Sequence, residues 1–344
     1  MQYKIAVVGA TGSIGRKVLS ILAEFQNAGK ISISTVVALA SYKSSGRKVS
    51  FGNTELTVCC LKDYNFSGMN IAIFCAGAYI SEQYISIATA AGCIVIDNSS
   101  YFSMHTQVPL IIPEINKNQI LRYKNLNIIS NPNCNTIHIL LALYPLHQRA
   151  HIKRIVASTY QSTSGIGNNA MNELYYQTKK IFMNENHPPE IFSKQIAFNC
   201  IPHIGEFMHN GATEEELTIS EETKKILDEE IKMNVTCVRV PVFIGDAISV
   251  NVEFCSHLTK EQARKILNAD EENGILVCDN PQELRYTTHI DVVGEDAVYI
   301  SRIREDETVT HGLNMWIVSD NLRKGAALNI IQILTTLVAQ MHND

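Results

Sequence analysis

The chain contains 344 residues, of which 46% are hydrophobic and 18% charged, and its net charge is −5. This composition is typical of a globular protein that is long enough for two domains with sizeable cores. The mild acidity argues against a general nucleic-acid-binding protein, and the sequence lacks the apolar run of about 18 residues that a membrane span needs.

The cysteine pattern predicts neither a disulfide framework nor a metal site. The nine cysteines are odd in number, Cys59 and Cys60 are adjacent, and no C-x-x-C pair occurs. A reducing cytoplasm fits this pattern. The N-terminus passes from Met1–Lys4 directly into a predicted strand, so no signal peptide is expected.

A strand, a glycine-rich turn and a helix open the chain. The apolar run Ile5–Val8 is typical of a buried strand, and apolar residues recur at helical spacing from Val18 to Phe25. Glycines let the backbone approach a pyrophosphate, and a helix N-terminus supplies N–H donors. The spacing is G-x-x-G-x-x-G rather than G-x-G-x-x-G, and a tight turn without a ligand is the alternative. The candidate cofactor residues of this turn are Gly9, Thr11, Gly12, Ser13, Ile14 and Gly15.

The second predicted strand, Ile33–Leu39, leads into a basic loop. NAD-selective sites usually place Asp or Glu at the end of this strand to bind the ribose 2′-hydroxyl, and neither is present here. The loop instead offers hydroxyls and cations, which suit a 2′-phosphate, so NADP is the predicted cofactor. A solvated basic loop is the alternative. These residues are Ser41, Lys43, Ser44, Arg47 and Lys48.

Two further strands predict ligand contacts where they end. The strand Asn70–Cys75 closes at Ala76 and Gly77, and the strand Ile94–Ile96 is followed by Asp97, Asn98 and Ser99. The alternation of strands and helices through residue 130 predicts a parallel, doubly wound sheet of the Rossmann type. Such sheets bind ligands at the carboxyl ends of their strands, which makes Cys75, Ala76, Gly77, Asn98 and Ser99 candidate cofactor residues.

Cys134 is the candidate nucleophile. It follows a predicted strand, Leu126–Ser130, and precedes a stretch with helical spacing, Ile137–Arg149, so it lies at or just before the first turn of a helix. Unpaired N–H groups and the helix dipole favour a thiolate at this position. The alternative is a buried, inert thiol.

The pattern changes after His151. Longer strands that look antiparallel are predicted at 152–160, 235–244, 247–254, 297–303 and 313–318, with helices near 168–183, 214–232 and 260–267. This α+β pattern predicts a substrate and dimerisation domain, within which Asn184–Asn210 is a long excursion at a subunit interface. The predicted domains are an NADP-binding domain of residues 1–132 completed by residues 321–344, and a second domain of residues 133–320.

A series of motifs resembles the aspartate-semialdehyde dehydrogenase family. The family's G-A-T-G-x-x-G, A-S-x-R-S-x-G, D-N-S-S-x-F-R-M, V-P-L-x-x-P-E-x-N and N-P-N-C-x-T motifs correspond, in the same order, to Gly9–Gly15, Ala40–Gly46, Asp97–Met104, Val108–Asn116 and Asn131–Thr136. Further matches are Q-x-x-S-G at Gln161–Gly165, C-V-R-V-P-V at Cys237–Val242 and a segment at Val318–Ala327. Together they cover nearly the whole chain.

The resemblance implies a function. Members reduce aspartyl phosphate to aspartate semialdehyde through a cysteine thioester and NADPH, and they form dimers or tetramers, so a homodimer or homotetramer is expected. By resemblance, Cys134 is the nucleophile, Gln161 orients the acyl group, Arg239 binds the substrate carboxylate and Asn321 helps to hold the nicotinamide. The other substrate-binding residues implied are Asn133, Ser103, Ser164, Gly165 and Glu215.

The chain departs from the family at three positions. Asp246 stands where the family has the histidine that is the acid/base partner of the cysteine, so Asp246 is predicted as the replacement base. Ser103 and Thr218 stand where the family has an arginine and a lysine that bind phosphate. Two other functions are therefore considered: an N-acetyl-glutamyl-phosphate reductase-like enzyme, which the N-P-N-C and Q-x-x-S-G motifs oppose, and a catalytically weak NADP-binding paralogue.

Overall fold

The computed structural model describes residues 2–343, with side chains through residue 341. The chain divides into two compact units, unit 1 comprising Met1–Asn133 and Ala326–Asp344 and unit 2 comprising Cys134–Gly325. The divisions thus fall after Asn133 and Gly325, whereas the sequence placed them after residues 132 and 320.

Unit 1 is built on a six-stranded sheet in which every strand pair is parallel, with the strand order β5-β2-β1-β6-β7-β8. Its strands, together with those of a separate hairpin formed by β3 and β4, are β1 Tyr3–Val8, β2 Ile33–Ala40, β3 Lys48–Phe51, β4 Thr54–Thr57, β5 Cys59–Cys60, β6 Ile71–Phe74, β7 Ile94–Asp97 and β8 Ile128–Ser130. Its helices are α1 Ser13–Asn27, α2 Ala78–Ala90, α3 Pro113–Asn116 and the C-terminal α8 Leu328–Asn343.

The central strands are buried on both faces. All four residues of β6 and of β7 are buried, as a parallel sheet covered by helices requires. Two separate apolar clusters form on its faces, one containing Val18 and Leu22 of α1 with Ile330 and Leu334 of α8, the other containing Ile85 of α2. The doubly wound, Rossmann-type sheet predicted from the sequence is confirmed.

The glycine turn between β1 and α1 depends on the lack of side chains. Gly9 has φ of +86°, and a Cβ there would lie 2.7 Å from the carbonyl oxygen of Cys75. A Cβ at Gly15 would overlap the carbonyl oxygen of Gly9. The turn is closed by a 3.0 Å hydrogen bond from Gly12 N to Gly9 O. Gly9 and Gly15 therefore allow the close contact between helix and strand that this turn needs.

Unit 2 contains a six-stranded mixed sheet in the order β10-β9-β11-β14-β13-β12. Its strands are β9 Ile152–Gln161, β10 Lys232–Arg239, β11 Asp246–Phe254, β12 Ile275–Val277, β13 Val298–Asp306 and β14 Gly312–Ser319. Its helices are α4 Cys134–Ala150, α5 Asn168–Phe182, α6 Glu214–Ile226 and α7 Lys260–Asn268. Helix α4 packs against β9, β11, β13 and β14.

Two predictions for unit 2 need correction. The strands are not all antiparallel, because β9 pairs in parallel with β10, and β12 in parallel with β13. The helix predicted at 214–232 ends at Ile226, where the backbone turns at Leu227, and the strand predicted at 235–244 begins earlier, at Lys232. The two boundary errors lie at segment ends, where the apolar period alone does not separate helix from strand.

Within the described residues, no helix is long and apolar enough to cross a membrane, and no group of three or more His, Cys, Asp or Glu side chains could hold a metal ion.

We expect Gly15→Ala to destabilise unit 1, because its methyl group would overlap the Gly9 carbonyl oxygen at a position fixed by backbone on both sides. Overpacking of this kind costs at least about 1–3 kcal/mol, so the thermal midpoint of the cofactor-free protein should fall. Gly12→Ala is the matched control, since its Cβ would meet Gly9 O at an ordinary 3.4 Å. Equal midpoints for the two variants would contradict the close-packing role of Gly15.

Candidate active site

Cys134 is the first residue of α4, as the sequence predicted, and its side chain is partly accessible. The first turn of the helix is anchored within unit 2, because Thr136 Oγ1 donates a 2.8 Å hydrogen bond to Glu222 Oε2. A Cβ at Gly325 would lie 2.7 Å from Cys134 Cβ, so the segment before α8 passes directly beside the cysteine. The sulfur is thus held on a rigid helix start.

Asp246 is the partner of this sulfur. It is the first residue of β11 and is 2% exposed. Its Oδ1 accepts hydrogen bonds from Ser162 N at 2.8 Å and Ser162 Oγ at 2.9 Å, while Cys134 Sγ donates to its Oδ2 at 3.6 Å. The structure therefore brings together the predicted nucleophile and the predicted replacement base.

The protonation state of this pair follows from its surroundings. Burial raises the pKa of Cys134 well above its usual value, and the carboxylates of Asp246 and Glu215 raise it further, against an opposing effect of Arg239. Burial also raises the pKa of Asp246, opposed by the Ser162 hydrogen bonds and by Arg239. Burial and the two carboxylates therefore oppose the thiolate that the helix N-terminus was expected to favour.

His138 is the nearest imidazole on the same helix, one turn after Cys134. It is fully buried, and neither ring nitrogen has a hydrogen-bond partner among the described residues. Burial and the charge of Lys324 lower its pKa to about 3. This imidazole stays neutral and is a weak base, so Asp246 is the better proton acceptor for the thiol.

Two further predicted residues, Gln161 and Arg239, lie at the edge of the unit 2 sheet where β11 begins with Asp246. Gln161 and Arg239 are paired across the parallel strands β9 and β10, at the carboxyl end of each. Gln161 Nε2 donates to Glu215 Oε1 at 3.2 Å, and Arg239 Nη1 donates to Ser162 O at 2.6 Å. Gly165 makes room for the guanidinium, since a Cβ there would lie 3.3 Å from Arg239 Nη1.

A hydrogen-bond network of two serine hydroxyls and the Asn321 amide continues from Asp246 through Ser162. Asn321, 3% exposed, accepts a 3.0 Å hydrogen bond from Gly245 N and donates one of 2.9 Å to Ser164 Oγ. Ser162 Oγ lies 3.0 Å from Ser164 Oγ. Sequence reasoning missed Ser162, although it stands inside the quoted Q-x-x-S-G motif. Its position as a polar residue at the end of a predicted strand could have indicated a site residue. Asn321 belongs to unit 2, and its contact with a nicotinamide stays a prediction.

The predicted cofactor residues of unit 1 gather at the carboxyl edge of its sheet. Ser81 Oγ, Ser99 N and Ser99 Oγ all donate to the Asp97 carboxylate. Burial raises the pKa of Asp97 to about 6 despite these bonds. Asn98 Oδ1 accepts a 2.9 Å hydrogen bond from Asn131 Nδ2. These contacts fix the backbone of Asn98 and Ser99 after β7, while Gly77, with φ of +86°, precedes α2 beside Cys75 and Ala76.

The basic loop after β2 has two cations without an ion pair. Lys43 and Arg47 are exposed, and within residues 2–343 neither forms a salt bridge, whereas Lys48 Nζ lies 2.9 Å from Glu55 Oε2. Ser41 precedes a short 3-10 turn, Tyr42–Ser44.

Two predicted substrate residues lie in unit 1 rather than in unit 2. These are Ser103 and Asn133. Ser103 is 2% exposed, and its Oγ donates to Ser100 O within its own turn. Thr218 is partly buried on α6, one turn after Glu215. The hydroxyl groups of Ser103 and Thr218 carry no positive charge, although both residues stand where the family has cations.

Both units match models of known protein families. Residues 4–123 match the family model described as semialdehyde dehydrogenase, NAD binding domain, and residues 143–324 match the one described as semialdehyde dehydrogenase, dimerisation domain. Unit 1 is therefore an NAD(P)-binding domain, and unit 2 contains a dimerisation domain.

Full-length relatives carry one name. The chain is 48% identical over 337 residues to the aspartate-semialdehyde dehydrogenase of Rickettsia conorii, covering 98% of each chain, and 42% identical over 343 residues to that of Aquifex aeolicus, covering 99% of each. Among solved structures, aspartate semialdehyde dehydrogenase II from Vibrio cholerae has a TM-score of 0.93 at 40% identity, over 98% of this chain and 99% of that one. This chain belongs to the aspartate-semialdehyde dehydrogenase family.

Proposed function

We propose that this protein is an aspartate-semialdehyde dehydrogenase that uses NADP. The observation that carries the proposal is the pair in which Cys134 Sγ lies 3.6 Å from the buried Asp246 Oδ2, with Gln161 and Arg239 at the ends of neighbouring strands. A nucleophile beside a fixed base is the arrangement that covalent acyl transfer requires. One structure of the Vibrio cholerae relative is a complex with ASA, which supports a semialdehyde substrate here.

The chemistry follows from the side chains. As Cys134 attacks the carbonyl carbon, its proton passes to Asp246 Oδ2, because burial and the nearby carboxylates raise the pKa of the thiol and disfavour the thiolate before the attack. Arg239 binds the substrate carboxylate, and Glu215 complements the substrate ammonium group by charge. Gln161, whose amide already donates to Glu215, orients the carbonyl. When the carbonyl belongs to aspartyl phosphate, the C–S bond forms as the bond from the carbonyl carbon to the phosphate oxygen breaks, so phosphate leaves and the acyl group is bound to sulfur as a thioester.

The residues of unit 1 fit a dinucleotide. A Cβ would fill the space that Gly9 leaves open beside Cys75 O, and the first turn of α1 contains no acidic residue that would repel a pyrophosphate. Lys43 and Arg47 are available for a 2′-phosphate, which favours NADP over NAD. When bound, the nicotinamide supplies the hydride chemistry. Gly12, Ser13 and Ile14 would hold the pyrophosphate by backbone N–H groups.

We also propose a homodimer in the cytoplasm. Besides the match to a dimerisation domain, unit 2 exposes several aromatic side chains on and after α5, and such a patch is typical of an interface. They are Tyr175, Tyr176, Phe182 and Phe198. All nine cysteines are free, as a reducing compartment favours.

Replacement of the nucleophile tests the covalent step. Cys134→Ser should lower dehydrogenase turnover by at least about 10³-fold, because a hydroxyl is a far weaker nucleophile here, while NADP affinity measured by fluorescence titration stays unchanged. Cys255→Ser, at an exposed cysteine, is the control and should keep full activity. A Cys134→Ser enzyme that retains activity would exclude the thioester mechanism.

Asp246→Asn tests the base. An asparagine oxygen can still accept both Ser162 hydrogen bonds, but the amide group cannot take the thiol proton, so turnover should fall by about 10²–10⁴-fold with little change in thermal stability. Because burial raises the pKa of Asp246, the carboxylate form is lost already at a pH above the usual range of an aspartate. The wild-type rate should therefore decline with falling pH through this raised pKa. A pH profile of Asp246→Asn that keeps the same acid limb would assign the limb to another group.

Cofactor choice depends on the loop after β2. Lys43→Ala and Arg47→Ala should each raise the KM for NADP by roughly tenfold and leave the KM for NAD unchanged, because only NADP carries the 2′-phosphate. Lys48→Ala is the matched control, since this lysine is already paired with Glu55. Equal effects on both cofactors would show that the loop does not recognise the 2′-phosphate.

A further inference from the structure

The starting point is a short segment that packs against both neighbours of Asp246. Gly245, just before Asp246, has φ of +91°, and a Cβ there would lie 2.8 Å from the carbonyl oxygen of His289. Ala247, just after Asp246, belongs to a small buried apolar cluster that includes Val292. The segment that contains His289 and Val292 therefore covers the backbone on either side of the carboxylate.

The imidazole of His289 is fixed to the same part of the sheet. Its Nε2 lies 3.1 Å from the carbonyl oxygen of Tyr160, the residue that pairs with Ala247 between β9 and β11. Because a carbonyl oxygen can only accept, Nε2 carries the proton of this hydrogen bond, and Nδ1 is the nitrogen that takes up a second proton. The ring is partly exposed and lies edge-to-face with Trp316, whose Nε1 donates to Thr287 O at 3.0 Å. An imidazole that can become a cation is thus held beside the start of β11.

A charge on this imidazole acts on Asp246. Burial raises the pKa of Asp246, and the Ser162 hydrogen bonds, Arg239 and His289 oppose that rise. Arg239 has the substrate carboxylate to bind, so part of its charge is neutralised once the substrate is present. Imidazoles as a class gain their charge as the pH falls below neutrality, and a buried carboxyl with a raised pKa takes up its proton in the same range. His289 can therefore supply positive charge at the pH where Asp246 would otherwise lose its own charge.

Other charged groups lie on the elements around Asp246 and His289. They are Glu215 on α6, Arg239 on β10, Lys324 just before Gly325, Asp291 in the turn after His289, and Asp320, which accepts a hydrogen bond from Gly294. Lysine and arginine keep their charge throughout the range in which a carboxyl titrates. Burial and the buried Lys324 lower the pKa of His138 to about 3, so this imidazole stays neutral. Of the imidazoles of His138 and His289, only that of His289 can therefore add positive charge as the pH falls.

We propose that His289 is a positioning residue for Asp246: its segment fixes the backbone around the carboxylate, and its imidazolium keeps that carboxylate charged and able to accept the Cys134 proton. The inference rests on the proposed function, in which Asp246 is the base. After the transfer Asp246 is neutral, and the same cation favours release of the proton. Once the carbonyl carbon has received its hydride, the C–S bond breaks, its electron pair goes to sulfur, and the sulfur takes the proton from Asp246. The thiol and the carboxylate are then restored.

Substitutions at His289 separate its charge from its hydrogen bond. His289→Gln keeps an amide N–H for Tyr160 O but carries no charge, so the acid limb of kcat should move about 0.5–1 pH unit to higher pH while the rate at high pH stays unchanged. At a pH on the limb, this is a loss of about 3–10-fold. His289→Lys keeps a cation and should leave the limb at the wild-type position or below it. His257→Gln, the same exchange at an exposed imidazole beyond the opposite end of β11, is the matched control.

A second measurement needs no turnover. In protein labelled with carbon-13 at the aspartate side-chain carboxyls, the NMR signal of Asp246, identified by its loss in Asp246→Asn, should titrate at higher pH in His289→Gln than in the wild type. An unchanged titration of Asp246, or a loss of rate that is equal at every pH, would overturn the role of the His289 charge. Absence of any dehydrogenase turnover in the wild type would instead contradict the proposed function, and the NMR titration would still decide whether His289 acts on Asp246.

Discussion

The hydrogen bonds from Ser162 to Asp246 are the interaction on which the candidate active site depends. Two donors from one residue hold Oδ1, which leaves Oδ2 directed at the Cys134 sulfur. A buried carboxylate is costly unless it is hydrogen-bonded, so these bonds both stabilise the charged form and fix its direction. Ser164 and Asn321 extend the same network, which keeps the position of the base rigid while the substrate changes.

The topology of the unit 2 sheet explains why these groups meet. Strands β9 and β10 are parallel, so Gln161 and Arg239 end them at the same edge. Strand β11 runs antiparallel to β9 and begins at that edge with Asp246. Strand β14 is antiparallel to β11 and ends there at Ser319, just before Asn321. One edge of one sheet therefore collects residues from four strands and faces the start of α4.

Local rules predicted the glycine turn and the helix start at Cys134, because each is encoded within a few consecutive residues, while the alternation of strands and helices predicted the parallel sheet of unit 1. The motif order also identified Gln161, Arg239 and Asp246 as site residues. The support from Ser162 was missed, since the pairing of β9 with β11 joins distant segments. The helix dipole that favours a thiolate is a local effect, whereas Asp246, which raises the pKa of Cys134, lies 112 positions away in the sequence.

A carboxylate and an imidazole activate a neighbouring thiol in different ways. An imidazole that takes the proton becomes a cation and stabilises the thiolate beside it, so the proton can be transferred before the substrate arrives. A carboxylate and a thiolate would be two anions in contact, so the proton stays on sulfur until the attack on the carbonyl disperses the negative charge. The residue at position 246 therefore governs how the thiol is activated when the acyl enzyme forms.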